Sequence, residues 1–169
     1  MDDRPARPRV RRARRADDAA LKRIDRLTWT AEVSPAPLPA ATVPFFGPGT
    51  AVEDVLVAEV NSNVVGYARL GPFENLRSAA HVLEIKGLAV DPGCQRQGLG
   101  RVLLAAAIEL SVKRGARRLM LRVLGPNVRA RALYESCGFE IEGILRELFL
   151  LEGEYVDDVI MTLDLSSRS

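Results

Sequence analysis

The sequence predicts an α/β fold: a mixed, mostly antiparallel twisted sheet of about seven strands, flanked by about four helices. Three observations carry this. Residues 54–60 and 64–70 are apolar, β-branched runs separated by Asn61-Ser62-Asn63, a hairpin signal. Residues 139–150 and 155–165 flank Glu152-Gly153-Glu154 and form a second one. Between them, residues 81–124 read as strand, helix, strand, a connection long enough to set its two strands parallel.

The other elements follow in order. A short strand at 10–13 opens the domain. Asp17 and Asp18 precede Ala19-Ala20-Leu21, with Ile24 and Leu27 after them. An acidic N-cap, an acidic first turn and helical spacing place a helix at 17–29. Residues 34–50 hold five of the ten prolines, which forbids a regular helix or central strand and leaves a long irregular segment with room for one helical turn. Trp29, Phe45 and Phe46 either line a pocket there or plug the segment against the core. The strand at 81–90 stops at Asp91-Pro92-Gly93. Residues 99–114 are rich in alanine and leucine and end in Lys113-Arg114-Gly115, a basic last turn followed by a glycine stop. A strand at 119–124 leads to Asn127, which caps a helix at 128–137 that Gly138 ends.

Of the 169 residues, 47% are apolar and 27% charged, enough to build one core without disulfide or metal. The organisation expected is a basic arm at 1–9 and a single domain at 10–169. No apolar run is long enough to span a membrane, and the basic N-terminus lacks the apolar stretch of a signal peptide. Cys94 and Cys137 have neither framework nor metal spacing, and His81 is the single histidine. No metal site is expected, and two reduced thiols point to the cytoplasm. Residues 1–15 carry seven arginines against two aspartates, while the remainder is mildly acidic. No aromatic residue interleaves these arginines, so nucleic acid is not expected as a partner. The stretch reads first as a solvated tail entering an edge strand.

The chemistry is concentrated in Leu88-Ala89-Val90-Asp91-Pro92-Gly93-Cys94-Gln95-Arg96-Gln97-Gly98-Leu99-Gly100-Arg101. A strand stops, a turn follows, and Gly98 and Gly100 open a long helix. Glycine lets a ligand approach the backbone closely. The unpaired N–H groups and positive dipole of the helix start then form an anion site. A Walker loop would need Gly-Lys-Ser/Thr, whereas Arg101-Val102 follows Gly100. A dinucleotide fingerprint would need glycine at 103, which is leucine. By itself the loop also fits a plain strand–turn–helix packed through small residues.

Val90-Asp91-Pro92 followed by Gln95-x-x-Gly98-x-Gly100 resembles the central motif of the GNAT superfamily of N-acetyltransferases. Asn127-Val128-Arg129-Ala130-Arg131-Ala132-Leu133-Tyr134-Glu135-Ser136-Cys137-Gly138-Phe139 is similar to its second signature, Asn…Ala-Leu-Tyr…Gly-Phe. The resemblance covers residues 80–165 closely and residues 10–75 in element order. It implies a central parallel pair splayed at a bulge, a feature Gly87 would tolerate. It implies acetyl-CoA as co-substrate: the backbone of Leu88, Ala89 and Val90 pairs with the pantetheine arm. The amides of Arg96, Gln97, Gly98, Leu99, Gly100 and Arg101 hold the pyrophosphate, and Asn127 bonds the pantetheine chain.

The resemblance further implies direct attack of a primary amine on the thioester. An N–H near Leu88 or Ala89 would receive the oxyanion. Tyr134 matches the family's general acid, and a phenol is protonated at neutral pH; otherwise it is a packing residue. Glu84, four residues ahead of Leu88, matches the catalytic glutamate of histone-type members. It would need a raised pKa or a water relay to take an ammonium proton, and otherwise lines the pocket. The ribosomal-protein alanine acetyltransferases of the family carry a glutamate on the following strand. Here Leu121-Arg122-Val123 puts Arg122 in its place, which argues against that substrate. Tyr155, Asp157 and Asp158 either face the acceptor or lie on the surface. The acceptor expected is a small-molecule or amino-acid amine, with a protein or peptide amine as alternative. A non-catalytic acyl-CoA sensor is the reading from a different class. A homodimer is also implied, since many relatives pair through edge strands or helices.

Overall fold

The computed structural model describes residues 8–168, so most of the arm at 1–9 lies outside the described residues. The elements are β1 (Arg9–Arg12), α1 (Asp18–Thr28), β2 (Val55–Val60), β3 (Asn63–Pro72), β4 (Val82–Val90), α2 (Leu99–Lys113), β5 (Arg118–Leu124), α3 (Val128–Ser136), β6 (Glu140–Leu151) and β7 (Glu154–Asp164). Short 3-10 turns join several of them. One seven-stranded sheet runs β1-β2-β3-β4-β5-β7-β6. Every neighbouring pair is antiparallel except β4–β5, whose strands are linked through α2.

Helices α2 and α3 cover one face. Leu99, Leu103, Ala107 and Leu110 recur at intervals of three or four residues, so one stripe of α2 packs on the sheet together with Leu104 and Ile108. Burying each of these leucines stabilises the fold by about 2–3 kcal/mol. Both helices end as their glycines predict. Ala116 N–H bonds Ser111 O at 3.0 Å and Gly115 N–H bonds Val112 O at 2.9 Å. Phe139 and Gly138 bond Tyr134 and Glu135 in the same pattern. The opposite face carries α1, whose Leu21 and Ile24 pack with Val55, Val57 and Tyr67. That helix covers the β3–β4 side of the sheet.

Two sequence expectations change here. Asp17 stands at the N-cap position of α1, but its side chain does not cap that helix. Its carboxylate instead accepts from Arg14 N–H at 2.7 Å and from Arg11 Nη1 and Nη2 at 2.8 and 3.0 Å. The stronger charge-assisted partners win over the helix end. Arg11 is therefore not part of a solvated tail: its Nε also bonds Glu59 at 2.8 Å. In the segment after α1, Phe46 is buried against the core and Phe45 packs edge-on to Tyr67, centroids 5.0 Å apart. These rings plug the segment onto α1. Lys22 and Arg26 strap it further by donating to Ala41 O and Pro39 O.

Candidate active site

The parallel pairing is short. Only Val82–Ile85 of β4 register with Arg118–Leu121 of β5. Arg69 then faces Gly87 while Leu70 faces Ile85, so Lys86 is an extra residue in β4. This is the splaying bulge, one position before Gly87. Arg69 holds it from β3: Nη2 donates to Lys86 O at 3.2 Å and Nη1 to Thr50 Oγ1 at 2.9 Å. Asp91 N–H bonds Val65 O at 2.8 Å, so by strand alternation Ala89 also directs its polar edge to β3. Leu88 and Val90 direct theirs into the gap, where no β5 residue is in register. Gln95 Nε2 takes the Val90 carbonyl at 3.0 Å. The Leu88 N–H is thus left facing the opening just past the bulge.

Beyond β4 the chain forms a concave run of amides. Asp91 Oδ1 accepts from Gly93 N–H at 2.9 Å, and Arg23 Nη1 reaches Asp91 Oδ2 at 2.5 Å. The Arg23 guanidinium, with the Gly93 amide, holds this carboxyl below the usual range. Arg96 and Gly98 both take positive φ, +64° and +78°, which turns successive N–H groups inward. The first helical amide to bond back is Val102, to Gly98 O at 3.1 Å. The amides from Leu99 to Arg101 are therefore free for an anion. Gly98→Ala is expected to cost about 1 kcal/mol, because an L side chain resists the left-handed region. It should also raise the Michaelis constant for acetyl-CoA several-fold. Urea unfolding and saturation kinetics check the two effects.

The predicted side chains divide. Asn127 caps α3, its Oδ1 accepting from Ala130 N–H at 3.1 Å, and its carboxamide NH2 has no partner among the described residues. Arg101 turns away from the cradle, Nη2 donating to Ser136 Oγ at 2.8 Å, so only its backbone serves. Arg129 supplies the cation that Arg101 does not: its Nη1 donates to Gln95 Oε1 at 3.1 Å, beside the loop.

Tyr134 and Glu84 lie on opposite faces of the sheet. Tyr134 is buried in the cluster on the α2 face with Phe139 and Leu88, its ring centroid 5.9 Å from that of Phe139. Burial pushes its phenol up to about 12. Glu84 pairs with Gly71 of β3 and Met120 of β5, two positions from Arg69 and so on the α1 face. Its side chain is mostly covered, 3.4 Å from Lys86 Nζ. A polar cluster stands on the same α1 face. Tyr67 donates to Asp25 of α1, and a Cβ on Gly87 would lie 3.3 Å from the Tyr67 ring. Burial raises the Asp25 carboxyl despite this bond, and raises the Tyr67 phenol further. The carboxylates of Glu84 and Asp25 thus stand on the α1 face, and the buried Tyr134 phenol on the α2 face.

A groove of about 670 Å³, lined by His81, Arg117, Glu140 and Asp164 among others, lies at the other ends of β4 and β5 and shares none of these groups. No cluster of three or more metal-ligating side chains occurs among the described residues. No helix of the described residues is long and apolar enough to cross a membrane.

The acetyltransferase (GNAT) family model matches residues 19–139, more than half of the chain. The chain belongs to the GNAT family. Among curated relatives, the ribosomal protein bS18-alanine N-acetyltransferase of Escherichia coli (strain K12) is 46% identical over 79 residues, 47% of this chain and 53% of that one. The chain thus spans about half the length of such relatives. The L-amino acid N-acyltransferase MnaT of Escherichia coli (strain K12) is 30% identical over 115 residues, 68% of this chain and 66% of that one. Among solved structures, the ribosomal-protein-alanine N-acetyltransferase from Brucella melitensis superposes with a TM-score of 0.77 at 29% identity, covering 93% of this chain and 99% of that one. The splayed mixed sheet is thus the GNAT fold.

Sequence reasoning missed Arg129, Asp25, Tyr67 and Arg69. Arg129 stood inside the second GNAT signature, and an arginine in the first turn of a helix that starts beside an anion loop was an available signal. The other three had none, since α1 and β3 are distant in sequence and come together only in the folded chain.

Proposed function

We propose that the protein is an N-acetyltransferase, carrying the acetyl group of acetyl-CoA to a primary amine by direct attack on the thioester. The observation that carries this is the pairing of an open amide cradle at Gln95–Arg101 with a gap beside Leu88. A phosphate-bearing arm anchored in the first would run along β4 and bring its end to the second. The Leu88 N–H suits the oxyanion. The amine would approach from the α1 face, with Glu84 accepting its proton. The thiolate would leave toward the α2 face, with Tyr134 donating.

The acceptor in this reading is a small molecule or amino acid. The longer match to an L-amino acid N-acyltransferase supports it, as does Arg122 on β5. The protein-amine reading rests on the 46% match to a bS18-alanine N-acetyltransferase. Exposed Ile144, Leu145, Leu148 and Leu150 on the edge strand β6 favour pairing of two copies there. The free thiols of Cys94 and Cys137 fit a cytoplasmic location.

Thiol release from acetyl-CoA against a panel of amines, amino acids and N-terminal peptides tests the reading. Amine-dependent release is expected. Acetyl-CoA binding without release would leave only a sensor. Glu84→Gln should lower kcat/KM about 10- to 100-fold and flatten the limb of the pH–rate profile that rises with pH. An unchanged rising limb would remove Glu84 as the base.

A further inference from the structure

We propose that Arg122, pinned by the buried Asp158, is the receptor for a carboxylate on the acceptor, so that the amine acetylated belongs to an α-amino acid or a similar small zwitterion. This rests on the acetyl-transfer reading above and names the substrate of the same site.

Arg122 is the first β5 residue beyond the parallel pairing, which ends at Ile85 and Leu121. It therefore stands at the mouth of the splay. It lies two positions after Met120, the β5 partner of Glu84, so both side chains share the α1 face. That step is about 7 Å along the strand, a spacing that lets one small zwitterion place its ammonium group at Glu84 and its carboxylate at Arg122.

The guanidinium is fixed on one edge only. Nε donates to Asp158 Oδ2 at 2.5 Å, and Nη2 lies against the same oxygen. Asp158 is 3% exposed, whereas the Arg122 side chain is 44% exposed. A buried carboxylate needs a paired cation, and this pairing removes the rotamer freedom of a long side chain. It consumes the Nε edge and leaves Nη1 without a partner among the described residues. The free Nη1–Nη2 end is the fork that receives a second carboxylate through two parallel hydrogen bonds. The 44% exposure of the Arg122 side chain leaves that end open to a molecule from solvent. A peptide N-terminus has an amide where an amino acid has its carboxylate, so the fork also discriminates between the two acceptor classes.

The experiment compares each of several α-amino acids with its own α-carboxamide in the thiol-release assay. Wild type is expected to favour the amino acid by about tenfold or more in kcat/KM. Arg122→Lys keeps a cation beside Asp158 but loses the fork. It should raise KM for the amino acid about tenfold and affect the amide far less, so that the acid-over-amide preference in kcat/KM falls. The double variant Arg122→Gln/Asp158→Asn, which buries no unpaired charge, should abolish the preference while remaining folded by circular dichroism. Equal use of acid and amide by wild type, or equal losses for both in the variants, would overturn the role of Arg122 and leave acetyl transfer standing. Absence of release with either acceptor, while other amines or peptides of the panel are acetylated, would overturn this role alone; absence across the whole panel would overturn the acetyl-transfer reading and this one with it.

Discussion

Tyr134→Phe is expected to lower kcat by about 100-fold, with KM for acetyl-CoA changed less than about twofold. The phenol sits in the α2-face cluster, where burial alone pushes it up to about 12. It therefore keeps its proton throughout the working pH range. A thiolate expelled into the same low-dielectric surroundings is itself destabilised as an anion, so a donor aimed at the sulfur lowers the barrier only as charge develops there. That is why the loss belongs in kcat. The ring stays, so packing against Phe139 survives and stability should shift by less than about 1 kcal/mol. Single-turnover kinetics with a saturating amine make the measurement. A variant as fast as wild type would reduce Tyr134 to a packing residue.

Asp17→Asn should cost about 2–3 kcal/mol of stability at neutral pH. The carboxylate takes three hydrogen bonds, two from Arg11 and one from the Arg14 amide, and is 8% exposed. Its neutral replacement leaves Arg11 with Glu59 as its one carboxylate partner among the described residues. The hydrogen bonds from Arg11, ahead of the Arg14 amide, hold the Asp17 carboxyl below its ordinary value against the opposing effect of burial. The folded pKa is thus depressed. The contribution is complete above the unfolded value of about 3.9 and fades as pH falls through the folded one. The gap between wild type and variant, measured by urea unfolding from pH 7 to pH 3, should therefore close at the acid end. A gap that stays constant with pH would mean that the loss is one of shape rather than charge.

Much of this protein was legible in its sequence because the informative signals are local. Gly115 and Gly138 end their helices in the αL conformation that glycine tolerates, and the hairpin turns at Asn61-Ser62 and Glu152-Gly153 sit where the composition put them. The anion loop needed only a strand end, two glycines and a helix start, all within about a dozen residues. The bonding of the Asp17 carboxylate escaped the sequence for the same reason in reverse. Local rules see a helix that starts at the next residue, and cannot see the arginine on β1 that bonds the carboxylate more strongly.

The sequence by itself determined the order of elements, the GNAT family and the glycine-bearing loop that opens α2, since each depends on contiguous residues with fixed backbone demands. Only the tertiary structure decided where the splay opens, because the bulge at Lys86 is held by Arg69 from another strand. It also put Glu84 and Tyr134 on opposite faces, a matter of strand register and helix placement. The pairing of Arg122 with Asp158, 36 residues away in the chain, was likewise out of reach of local pattern. An acceptor pocket is assembled from side chains that meet across a sheet, and long-range contacts of that kind leave no period in the sequence.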